Sequence, residues 1–179
     1  MMCAKRPTLS YFCSTIHFLS IVALGACQPP SPSQTFMEKP GGPFAQEISL
    51  PNPAGQVLRL SDLRGQYVLL DFWAAWCGPC RQENTHLVAA YQRFKAANFT
   101  VFSVSLDHQP EAWQQAIVQD KLEWPHHVSD LKGWDNQAAL AYGIEAIPMN
   151  FLLDPQGRII ARNLRGPVLE AQLNQILKP

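Results

Sequence analysis

The chain has 179 residues, 47% of them hydrophobic, and 14 basic side chains balance 14 acidic ones for a formal net charge of zero. That length supports one domain with a proper core plus a tail. The charge balance predicts no basic surface for nucleic acid and no strongly acidic or basic partner.

Lys5 and Arg6 precede a mainly apolar stretch over residues 9–24, followed by Gly25, Ala26 and Cys27. A basic start, an apolar middle and small residues before a cut describe an export leader. With His17 inside it, the stretch is too short and mixed for a membrane span of about 20 apolar residues. "LGAC", residues 24–27, resembles the bacterial lipobox, whose cysteine is lipidated and becomes the first residue of the mature protein. An ordinary signal peptide, or an uncleaved anchor, with an incidental Cys27 is the plainer alternative. The following "QPPSPSQTFMEKPGGP" is rich in Pro, Gly and Ser and reads as a tether. The expected organisation is a signal peptide over 1–26, a lipidated Cys27 with its tether through 43, and a folded domain over 44–179. Export implies a periplasmic or extracytoplasmic, oxidising location, held to a bacterial membrane by lipid on Cys27. Cys3 and Cys13 leave with the leader, so only Cys77 and Cys80 remain free for chemistry.

Within the domain, "EISLPNPAGQVLRL" predicts two short strands around a turn at 52–55, then a turn of helix opened by Ser61. "YVLLDFW" is apolar on both faces, as a central parallel strand should be. A helix is predicted over 78–97 with Leu87, Val88, Tyr91 and Phe94 on one face, and "FTVFSVSL" is a second buried strand. "PEAWQQAIVQD" and "NQAALAYG" follow as helices, the second ending at Gly143. "MNFLLDPQGRIIARNL" is a hairpin, with Pro155 and Gly157 suited to its tight turn. "VLEAQLNQILK" closes the chain as an amphipathic helix after Gly166-Pro167. This order implies an α/β domain with a central mixed sheet and helices on both faces.

The chemistry concentrates in "CGPC", where strand gives way to helix. A cysteine attacks as thiolate, and a free thiol has a pKa of about 8.5. Unpaired N–H groups and the macrodipole at a helix N-terminus favour negative charge. Cys77, first in the motif, is the candidate nucleophile at the helix tip. Pro79 fits the first turn, where a missing N–H costs nothing. Cys80, one turn further in and more buried, is placed to attack a mixed disulfide formed at Cys77. A zinc site would need four ligands, and the adjacent His126 and His127 would point apart on an extended chain. A purely structural disulfide would close too small a loop to stabilise much. Asp71 stands inside an apolar strand, where an ionised carboxylate is costly and its pKa should rise; the alternative is a strand-end residue facing solvent.

"DFWAAWCGPC" resembles the active-site signature of the thioredoxins, and "AIPMNFLLDPQGRII" resembles their loop proline ahead of a hairpin. "LSDLRGQYVLLDFWA" and the segment around "HVSDLKGW" are closer to the exported TlpA/ResA-like branch. The resemblance runs from about residue 44 to the C-terminus. It implies a thioredoxin fold with an N-terminal β-hairpin extension and a central helical insertion. It also implies that Asp71 is the general base for Cys80. Ile147-Pro148 would be a cis-proline loop facing the pair, where a substrate backbone pairs with the residue before the proline. Trp76, Gly78 and Pro79 would line the docking rim, with core packing the plainer role for Trp73. Glu83, which the branch also carries, would modulate the cysteine titration or simply complement the helix dipole. Two residues on, the branch has a proline where this chain has Thr85. Lys132 and Trp134 could shape substrate choice but suit a packed loop better, and His86, His108, His126 and His127 are expected at the surface.

The implied function is a membrane-tethered thiol–disulfide oxidoreductase, a monomer that needs no cofactor and no metal. It would reduce disulfides in exported proteins, with cytochrome c maturation and apocytochrome c as one client pathway. A membrane thiol-transfer reductase would supply the electrons. Two rivals differ in class. A thiol peroxidase of the peroxiredoxin type would show Pro-x-x-x-Thr-x-x-Cys, but Leu70 and Ala74 hold those positions before Cys77. A copper-delivery module would use the pair as ligands.

Overall fold

The apolar run ahead of the cysteines becomes the centre of the sheet. The computed structural model describes residues 42–177, together with the two-residue strands Cys3–Ala4 and Phe36–Met37. The rest of the leader, Cys27 and most of the tether therefore lie outside the described residues.

A hairpin opens the domain. β1, Ser49–Pro51, pairs antiparallel with β2, Val57–Arg59. Asn52 sets the turn: its Oδ1 accepts from the N–H groups of Ala54 and Gln56 at 3.0 and 2.9 Å. The following 3-10 turn, Leu60–Leu63, buries both of its leucines. Ser61 does not open this turn as expected, because Arg59 precedes it in extended conformation and Ser61 instead gives its N–H to Glu47.

β3, Tyr67–Trp73, runs parallel to β4, Phe99–Ser105. On its other side it is antiparallel to β7, Met149–Leu153, so the central strand is parallel on one flank only. β8, Ile159–Arg162, completes the predicted hairpin. At its turn Gly157 has φ +80°, and a Cβ there would run into the Arg64 guanidinium. The sheet order is β8-β7-β3-β4-β5, where β5 is His126–Val128, with Phe36–Met37 added outside β8.

The sequence signals missed β5, His126–Val128, which is parallel to β4. His127 is consequently buried rather than at the surface: it stacks on Trp124 and its Nε2 lies 3.1 Å from the Leu122 carbonyl. Burial pushes its pKa down to about 4. His126 is half-buried, whereas His86 and His108 are exposed as expected.

The helices are α1, Gly78–Phe94, α2, Pro110–Gln119, α3, Gln137–Ala141, and α4, Gly166–Ile176. α1 runs unbroken through Thr85 and packs against α4, burying Leu87 and Phe94. Among the described residues, no helix is long and apolar enough to cross a membrane. This is a thioredoxin fold: a mixed sheet with helices, carrying an extra hairpin at the front and an inserted segment between β4 and β7.

Candidate active site

β3 delivers the chain to the site and β4 fixes the turn that leaves it. Leu106 N–H bonds the Trp73 carbonyl at 2.8 Å, extending the pairing past the strand ends. Both carboxylate oxygens of Asp107 then accept from Ala75 N–H, at 3.1 and 3.0 Å. Trp76 Nε1 donates to the Leu106 carbonyl at 3.2 Å. The turn is thus held in place before the first cysteine is reached.

Cys77 is the N-cap of α1. The Cys80 N–H donates to Cys77 Sγ at 3.3 Å, one of the orphan donors of the first helical turn meeting the sulfur itself. Gly78 and Pro79 occupy the first two helical positions, Gly78 exposed and Pro79 half-buried. The two cysteines are joined as a disulfide, with Cα atoms 5.2 Å apart. Cys77 is not more exposed than Cys80: both are buried, at 0% and 1%. The leading sulfur lies 3.9 Å from the Ile147 carbonyl oxygen, and β6, Ala146–Ile147, carries the short strand Cys3–Ala4 antiparallel on its edge. The Ile147-Pro148 peptide is cis, and the Ile147 carbonyl contact sets this loop against the pair.

Asp71 lies in the middle of β3 and is buried, 2% exposed, so the solvent-facing alternative is gone. Burial pushes its carboxyl up to about 7, opposed by the charge of Arg165 and reinforced by that of Glu83. Glu83 does not serve the dipole of its own helix. Its Oε1 accepts from Gly166 N–H at 2.8 Å, at the N-terminus of α4.

Trp73 is core, whereas Trp76 is 48% exposed with its ring 6.1 Å from that of Trp134. Beside Trp76 opens a cleft of about 540 Å³, lined also by Arg81, Asp107, His108, Gln115 and Gln119. Sequence reading did not find it, because these residues come from α1, the end of β4 and α2. Lys132 is exposed, and it is Trp134, half-buried, that faces the rim. Leu70 and Ala74 are apolar and fully buried, so neither brings a hydroxyl to Cys77. Among the described residues, no group of three or more His, Cys, Asp or Glu is placed to hold a metal ion.

A family model described as the AhpC/TSA family matches residues 42–162. The thiol-disulfide oxidoreductase ResA of Bacillus subtilis (strain 168) is 26% identical over 141 residues, covering 77% of this chain and 76% of its own. The thioredoxin domain of a thiol-disulfide oxidoreductase from Bacteroides vulgatus superposes with TM-score 0.72 at 35% identity, over 79% of this chain and all of that one. A thiol-disulfide oxidoreductase from Bacteroides fragilis gives TM-score 0.71 at 38% identity, over 75% of this chain and all of that one.

Proposed function

The chain belongs to the AhpC/TSA family and is a thiol-disulfide oxidoreductase, and from that premise we propose that it reduces disulfides in exported proteins from a membrane tether at Cys27. The observation that carries the reading is the cysteine pair closed across the first turn of α1, with a helix N–H on the leading sulfur. Such a donor stabilises the same sulfur as a thiolate once the pair is reduced.

The exchange runs in two displacements. Cys77 thiolate attacks a client disulfide, forming a Cys77–client bond while one client sulfur leaves as thiolate. Cys80, its proton passed to Asp71, attacks Cys77 Sγ. The Cys77–Cys80 bond closes, the second client sulfur leaves, and two electrons have passed to the client. A second dithiol protein, of the membrane thiol-transfer type, then reopens the pair. The edge of β6 supports backbone pairing with an extended client, since Cys3–Ala4 already lies on it as a strand. Trp76, Gly78, Pro79, Ile147 and Pro148 make up the docking rim in this reading.

Cys80→Ser tests the scheme. The variant is expected to stall after the first displacement and accumulate dithiothreitol-sensitive adducts on Cys77 with disulfide-bearing exported proteins. Wild-type protein should reduce insulin with a potential near the thioredoxin value of about −270 mV. No adduct and no insulin reduction would end the reading; a potential far above that range would reverse its direction.

Trp76→Ala separates docking from chemistry. Removing a half-exposed ring at the rim should raise KM for protein clients about tenfold, the scale of an interface anchor. Rates with a small disulfide should hardly change. Equal losses on both substrates would remove Trp76 from the docking surface.

A further inference from the structure

We propose that Arg165 is a positioning residue of this site: a half-buried cation that ties the proline loop to the carboxylate accepting the Cys80 proton. The inference rests on the reading of Asp71 given above.

Three independent anchors place this arginine. Asn150 stands directly opposite Asp71 across the β3–β7 pairing, so the two side chains share a face. Asn150 Oδ1 accepts from Leu164 N–H at 2.9 Å and its Nδ2 donates to the Leu164 carbonyl at 2.8 Å. That pair of bonds fixes the residue before Arg165. Glu83 fixes the residue after it, through Gly166 N–H at 2.8 Å. The guanidinium then spends Nη1 on the Leu164 carbonyl at 2.8 Å and Nη2 on the carbonyl of Pro148. One side chain therefore grips the loop that faces the cysteines while its backbone is clamped beside Asp71 and Glu83.

The charges around Asp71 are few. Arg165 comes from the loop before α4 and Glu83 from α1, while the strand neighbours Ser103 and Asn150 are neutral. The guanidinium opposes both burial and Glu83, holding the Asp71 carboxyl below where they alone would push it. Without that cation, Asp71 would keep its proton to higher pH and be a poorer acceptor at neutrality. A lysine would restore the charge but not the two-pronged grip on Leu164 and Pro148.

The test uses the protein carrying a thionitrobenzoate mixed disulfide on Cys77, so that attack by Cys80 releases the coloured thiolate. In Arg165→Gln, the pH midpoint of release should move up by about one unit, making release about tenfold slower on the acid side. The rates should converge with wild type above that midpoint. Arg165→Lys should bring the midpoint back while KM for a protein client stays raised, a split that simple loss of fold cannot produce. Asp71→Asn should abolish the titration. If it does not, the proton-acceptor reading fails and this proposal with it. If Asp71→Asn abolishes the titration but the midpoint stays put in Arg165→Gln, or in a folded Arg165→Lys moves like a charge loss, the proposal alone is overturned.

Discussion

Asp71→Asn is expected to make the domain more stable at neutral pH and its resolving step slower. The folded protein holds the Asp71 proton up to about pH 7, whereas an unfolded chain gives it up near the ordinary 3.8. Unfolding therefore releases a proton between those values, and stability falls as pH rises through that window. At about 1.4 kcal/mol per unit, the destabilisation reaches an upper limit of about 4 kcal/mol at and above pH 7. An amide of the same shape carries no such penalty. Denaturant unfolding of the oxidised protein should show a sloping wild-type curve from about pH 4 to 7 and no such slope from Asp71 in the variant. Release of client by Cys80 should slow by about 10² to 10⁴, the usual weight of a general base. Parallel stability curves would show that the carboxylate is not held protonated by burial.

Asn150→Ala should be the most damaging single polar change in the sheet. The side chain is fully buried and satisfies both the N–H and the carbonyl of Leu164. Deleting it leaves the Leu164 N–H unpaired in a low-dielectric interior, at about 1–3 kcal/mol, while the Leu164 carbonyl keeps its bond from Arg165 Nη1. A loss of about 1–3 kcal/mol follows, which thermal unfolding would report as a fall in Tm of roughly 3–5 °C per kcal/mol for a domain of this size. The same variant frees the segment that positions Arg165, so resolving activity should suffer even where the protein remains folded. A shift under about 1 kcal/mol would mean that water or a neighbour replaces the amide.

These two residues also show where sequence reading succeeds and where it stops. Asp71 could be found because its neighbours in "VLLDFWA" are all apolar, and a carboxylate among them has few places to go. The cysteine pair, the central strand and the terminal hairpin were legible for the same reason: their signals are local, in turn residues and unbroken apolar runs. Asn150 was not. It sits in the quoted hairpin, but its value lies in bonds to Leu164, across the turn. Arg165 carries no local signal in the sequence, and only its bond to the Pro148 carbonyl and its place before α4 bring it to the site. β5 escaped because three residues led by two histidines carry no strand signal; pairing with Phe102, Ser103 and Val104 makes them one. Both cysteines are sealed, which the helix-tip argument did not anticipate, and the Ile147 carbonyl of β6 lies 3.9 Å from the leading sulfur.

The turn joining β7 to β8 lies at the opposite pole of the sheet from the sulfurs. Phe44 bridges to Arg158 there, and Ala45 N–H bonds the Gly157 carbonyl at 2.9 Å. The seven residues of β3 separate that point from the Cys77 turn, a distance of about 20 Å at strand rise. Upstream of Phe44 the chain already runs along the outer edge of β8, with Phe36 opposite Arg162 and Met37 opposite Ala161. That short outer strand covers part of the β8 edge and blunts the sheet there against pairing with a second chain.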